Sequence, residues 1–151
     1  MKYLALTGHR TLPQDFSRDR LREKLEELIK EGYDGYFCGM AAGFDLLALD
    51  VLVELKRKYP LYLEACIPFE GQEKGYPKEE KERYRELLGW CDRRTVIFPS
   101  YRNGCYLVRD RYMVDCADGV LAYLTRDTGG TAYTVNYARE KNVPVFLFEN
   151  G

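Results

Sequence analysis

The chain is short of several things, and each shortage removes a class of function. It holds one histidine in 151 residues, so no histidine cluster is available to a zinc or iron site. Its five cysteines, Cys38, Cys66, Cys91, Cys105 and Cys116, include no C-x-x-C pair. An odd set of cysteines lying mostly in apolar runs reads as reduced, largely buried thiols in a cytosolic protein, with no metal and no cofactor. Neither sign of charge is in excess, since 23 basic residues face 24 acidic ones. Chains that live on nucleic-acid phosphates carry a strong basic surplus, so nucleic acid is disfavoured as a partner. No apolar run approaches the roughly 20 residues that cross a bilayer. The chain opens directly on the strand-like KYLALTG, without a basic and then apolar leader. The expectation is a cytoplasmic protein with no membrane partner.

What is present is enough apolar material, 46% of residues, for a single core. Short apolar runs at Lys2 to Thr7, Tyr33 to Cys38, Tyr62 to Ile67, Thr95 to Phe98, Gly119 to Leu124 and Val145 to Phe148 read as strands, the third ended by Pro68. Helical stretches lie between them. Leu21, Leu25, Leu28 and Ile29 recur at helical spacing before Gly32; a long helix follows Gly43 to about Tyr59; KEEKERYRELLGW places Leu87, Leu88 and Trp90 inward; further helices cover Tyr106 to Cys116 and Ala132 to Lys141. Strands alternating with helices predict an α/β fold, a single Rossmann-like three-layer domain over residues 1–151 with a mostly parallel sheet. The helix opening at Phe44 is apolar almost all round, so either a neighbouring helix or a second subunit in a homodimer covers its outer side.

In such sheets ligands bind beyond the carboxyl ends of the strands. The distinctive loops all fall there: Gly8 to Arg10, Gly39 to Gly43, Pro68 to Glu73, Pro99 to Gly104, and Asp127 to Thr131. Two of them, GMAAGFD and DTGGTAYT, place glycines between a strand and a helix start, where free amides point outward and a ligand can approach the backbone. The ligand-binding candidates are Gly8, His9, Arg10, Gly39, Gly43, Asp45, Arg109, Gly129, Gly130 and Thr131. Arg10 and Arg109 could each clamp a phosphate or pair with a surface carboxylate. His9 could do acid–base work or simply orient a ligand. Asp45 could cap free amides or accept a ribose hydroxyl. No lysine follows the second glycine turn, which excludes a Walker A phosphate loop. Glu70 and Glu73, just past the third strand, are candidate general acids or bases.

The ordered set TGHR, GMAAGFDLLALD, IPFEGQEKGY, VRDRYMVDCADGVLAY and GGTAYTVNYA resembles the SLOG superfamily, which includes the DNA-processing protein DprA and the LOG phosphoribohydrolases. It is most similar to the small bacterial YoqJ/YpsA-type branch, over nearly the whole chain. The resemblance implies a pocket for a nucleotide or an ADP-ribose-like derivative, with a sensory or regulatory role. LOG enzymes carry a glutamate shortly after a GG-x-GT turn, whereas Thr131 here is followed by Ala132, Tyr133, Thr134 and Val135. A binding module is therefore expected, the alternative being a nucleotide N-glycosidase in which Glu70 or Glu73 supplies the missing carboxyl. An Arg-Asn pair common in related proteins is Arg109-Asp110 here.

Overall fold

The computed structural model describes residues 1–150. Its elements run β1 (Lys2–Gly8), α1 (Arg18–Lys30), β2 (Tyr33–Cys38), α2 (Phe44–Leu55), β3 (Tyr62–Phe69), a short 3-10 turn (Gln72–Gly75), α3 (Lys78–Leu88), β4 (Arg93–Phe98), α4 (Cys105–Cys116), β5 (Gly119–Tyr123), α5 (Gly130–Glu140) and β6 (Val145–Leu147). The six strands form one sheet in the order β4-β3-β2-β1-β5-β6, and every neighbouring pair is parallel. This is the expected three-layer α/β architecture.

Alternation along the strands divides the core in two. Leu4, Leu6, Leu121 and Tyr123 point into a large cluster with α1, α2 and α3, whereas Ala5, Val120 and Ala122 point into a smaller one with α4 and α5. Small residues on the second face let α4 and α5 lie close to the sheet. Each fully buried leucine of the first cluster contributes roughly 1.5–3 kcal/mol of transfer free energy. The start of α1 is fixed by Ser17, whose hydroxyl accepts from the Arg20 amide at 3.1 Å.

α2 packs against α1, α3 and the sheet, so its apolar girdle is covered within the chain and supplies no argument for a second subunit. Three local expectations differ. Pro68 lies inside β3; it removes one ladder donor, but Ile67 and Phe69 keep register with Val96 and Phe98. Trp90 is 51% exposed, because α3 ends at Leu88 and the inward helical phase is lost beyond Gly89. β4 begins at Arg93, an edge strand whose exposed arginines hide it from a hydrophobic pattern. Among the described residues no helix is long and apolar enough to cross a membrane, and no group of three or more His, Cys, Asp or Glu is placed to hold a metal. Cys38, Cys66 and Cys105 are buried, Cys91 is half-buried and Cys116 exposed, all as free thiols.

Candidate functional site

The chain lays β1 to β4 outward in one direction and then returns to place β5 on the other side of β1. Loops leaving β1 and β5 diverge to opposite faces, and a crevice opens beyond their carboxyl ends. The two strand ends are tied by His9, whose Nε2 accepts from the Thr125 amide at 2.9 Å. That bond makes His9 an acceptor at Nε2, and burial, with Arg126 adding repulsion, holds its pKa below 6.5. The neutral imidazole is thus a clasp between β1 and β5.

The crevice is a cavity of about 350 Å³. Its β1 wall is Thr7, Gly8, His9 and Arg10; α2 contributes Asp45; α4 contributes Tyr106, Arg109 and Asp110; the far wall is Arg126, Gly130 and Thr131. Seven of the ten residues expected to bind ligand therefore meet in one place. Gly39, Gly43 and Gly129 do not line it directly. Glu70 and Glu73 lie outside it, because β3 is two strands from the crevice: Glu70 pairs with Arg94, and Glu73 accepts from Arg85 at 3.4 Å.

The two glycine turns differ in what their amides already do. At the first, the Ala41 amide donates to Asp45 Oδ2 at 3.3 Å, the Gly43 amide to Glu80 Oε2 at 3.3 Å, and the Phe44 amide to the His9 carbonyl at 3.1 Å. Two of those acceptors are carboxylates, so this turn repels phosphate. Its glycines serve packing: a Cβ on Gly39 would sit 2.6 Å from Arg109 Nη1, and Gly43, at φ +81°, would drive one to 2.7 Å from the His9 carbonyl. The second turn has no side-chain cap on Gly129, and a Cβ on Gly130 would meet nothing within 4 Å. The start of α5 is therefore the end of the cavity at which neither a side-chain cap nor a crowding neighbour covers the helix start among the described residues.

Charges are distributed to match. Arg10 and Arg126 line the cavity and make no ion pair among the described residues. Arg10 lies over the Tyr106 ring, 5.0 Å from its centroid. Arg109 is buried and committed instead: its Nε donates to Asp110 Oδ1 at 2.7 Å, and its Nη1 donates to the Gly39 and Cys66 carbonyls. It is a strut beneath the crevice more than a free clamp. Asp45 is only 4% exposed, and its Oδ1 has no hydrogen-bond partner. Burial pushes its carboxyl up to about 7 against the pull of Arg109.

Sequence reasoning did not single out Tyr106 or Arg126 as ligand contacts, nor Asp110 as a cavity wall. Arg126 carried a usable signal, since it stands three residues past the end of β5, where the crevice had to open. Asp110 was legible only as a negative charge replacing the asparagine of related proteins, because α4 buries the Arg109–Asp110 pair on the face where apolar residues are expected.

A family model described as the YspA SLOG family matches residues 14–145. The chain belongs to the YspA SLOG family. Among its relatives, UPF0398 protein OB1025 of Oceanobacillus iheyensis is 29% identical over 161 residues, covering 97% of this chain and 88% of that protein. A UPF0398 protein of Bacillus thuringiensis is 26% identical over 155 residues, covering 93% and 84%. Among solved structures, DprA of Streptococcus pneumoniae superposes with a TM-score of 0.72 at 18% identity, over 99% of this chain and 51% of that one. DprA of Helicobacter pylori, described with a single-stranded DNA binding mode, gives 0.68 at 18% identity over 99% and 66%. These likenesses establish the SLOG-type Rossmann-like fold. The Helicobacter protein also runs against the expectation that nucleic acid is a disfavoured partner. That expectation rested on summed charge, which does not register Arg10, Arg109 and Arg126 gathered round one crevice.

Proposed function

We propose that this SLOG protein binds a nucleotide or nucleotide-derived, ADP-ribose-like ligand in the β1–β5 crevice, in a sensory or regulatory role. One observation carries the reading: the uncapped start of α5 shares a cavity with two arginines that have no carboxylate partner among the described residues. Amides and guanidinium groups converging on one volume suit a phosphate, and a cavity of about 350 Å³ falls in the range of small-ligand pockets. Tyr106 at the wall, with Phe69 and the 59% exposed Tyr101 beside it, offers aromatic faces to a base.

Gly130 gives a clean test. A side chain there enters open space, so Gly130→Leu leaves the fold intact while filling the anion end. Native mass spectrometry of the wild-type chain with nucleotides, ADP-ribose and NAD is expected to show an intact adduct. The variant is expected to lose at least about a hundredfold in affinity, the equivalent of two charge-assisted hydrogen bonds. Equal affinity in both proteins would remove the phosphate from α5. Free base in the same samples would mark the N-glycosidase alternative, for which Asp45 and Asp110, not Glu70 or Glu73, are the carboxyls lining the cavity.

A second reading, single-stranded nucleic acid threading the same edge, is favoured by the exposed Tyr101 and by Arg102 lying 4.8 Å from the Phe98 ring centroid. It predicts a complex with single-stranded DNA at low salt that weakens steeply as salt rises. No complex at low salt would dispose of it.

A further inference from the structure

The cavity has two chemically opposite ends, and the proposed nucleotide must satisfy both. At α5 stand the helix-start amides and Arg126; α4, which packs beside α5, brings Asp110, and the start of α2, on the other face of the sheet, brings Asp45. Asp110 is satisfied by the Arg109 Nε at 2.7 Å. Asp45 is not: Oδ2 takes the Ala41 amide, whereas Oδ1 is buried with no partner. An orphaned carboxyl oxygen in a protein interior is costly, and such atoms call for a specific explanation.

The surroundings select what can meet it. A second phosphate on the α2 side would face the Asp45 carboxyl. An ammonium group would face Arg109 and Arg10, both close enough to act on the Asp45 carboxyl. A neutral hydroxyl donor escapes both repulsions. On a nucleotide whose 5′-phosphate lies at α5, the neutral donors available to the opposite wall are the ribose hydroxyls.

We infer that Asp45 Oδ1 shares a hydrogen bond with a ribose hydroxyl, making Asp45 the residue by which this site distinguishes ribonucleotides from their deoxy counterparts. This rests on the nucleotide reading above and adds to it a sugar class and an orientation. The phosphate lies at Gly130 and Thr131, the sugar edge lies at Asp45, and the base is directed toward Tyr106. Discrimination follows because a ligand lacking the hydroxyl fills the cavity and leaves Oδ1 both dry and unpaired.

The test is calorimetric titration of the full chain with the 5′-monophosphates of adenosine, guanosine, cytidine and uridine, each beside its 2′-deoxy and 3′-deoxy form. For any ribonucleotide that binds, at least one deoxy form is expected to bind about tenfold or more weakly. In Asp45→Ala the ribonucleotide and its deoxy forms are expected to bind alike. Wild-type protein that binds ribose and both deoxy forms equally overturns the inference and leaves the nucleotide reading standing. A preference that persists in Asp45→Ala overturns the assignment to Asp45. Binding of none of the compounds overturns the nucleotide reading and this inference together. The wild-type series alone decides the sugar preference should the variant fail to fold.

Discussion

Replacing Asp45 with asparagine should stabilise the protein, and increasingly so as pH rises. The carboxyl lies in the interior with one amide donor and one unpartnered oxygen, and burial raises its pKa from 3.8 to about 7. Between those values the folded chain holds a proton that the unfolded chain has released. Its contribution is therefore complete below pH 3.8 and declines as pH rises to about 7, beyond which it is constant. At about 1.36 kcal/mol per pH unit, the wild-type chain loses up to about 4 kcal/mol across this window. Asparagine has nearly the same shape, keeps an oxygen for the Ala41 amide and never ionises. Urea unfolding of both proteins from pH 4.5 to 8.5 isolates the effect, because every other titrating group contributes alike to both. The difference in unfolding free energy, variant minus wild type, is expected to grow with pH and level off above 7. A difference that is constant over the range would refute the claim that the fold resists the Asp45 charge.

Other expectations follow from single contacts. His9 behaves oppositely to Asp45: its lowered pKa means that its contribution is present above pH 6.5 and is lost as pH falls through its folded value. A proton NMR titration should place its midpoint below 6.5, with the Thr125 amide shifting in step; a midpoint at or above 6.5 would contradict the His9–Thr125 clasp. Gly43→Ala should cost about 3 kcal/mol or more in urea unfolding, combining a left-handed backbone with collision against the Arg10 and His9 carbonyls. Gly104→Ala, at φ +79° in open space, should cost only about 1–2 kcal/mol, the backbone term alone. Equal losses would show that the close approach at Gly43 contributes nothing.

The architecture was legible because its rules are local. Buried parallel strands are continuous apolar runs, and α1 marks its inner face through Leu21, Leu25 and Leu28. Its misreadings are equally local: Trp90 continued a helix that Gly89 had ended, and Arg93 and Arg94 concealed the start of an edge strand. The site was legible as a location, since strand-end loops could be counted. It was only partly legible as chemistry. Asp45 after GMAAG, and no carboxylate after DTGGT, already favour the second turn in the sequence, but Glu80, 37 residues away from Gly43, shows its hold on the first only in the fold. Glu70 and Glu73 looked eligible until strand order placed β3 two positions from the crevice. Hydrogen-bond partners and strand order are properties of tertiary assembly, and neighbouring residues do not encode them.

The seam between β1 and β5 joins residues Leu4–Gly8 to Gly119–Tyr123, the two sides being more than a hundred positions apart along the chain. One wall of the cavity therefore leaves the ribosome early and the other late, and neither has a recess of its own. Until β5 and the turn after it are made, the cavity lacks the wall formed by Arg126, Gly130 and Thr131. Capture of the proposed ligand would then report that synthesis has passed β5 and that the longest-range strand pairing has closed, and a bound molecule bridging the walls would resist the reopening of that contact first.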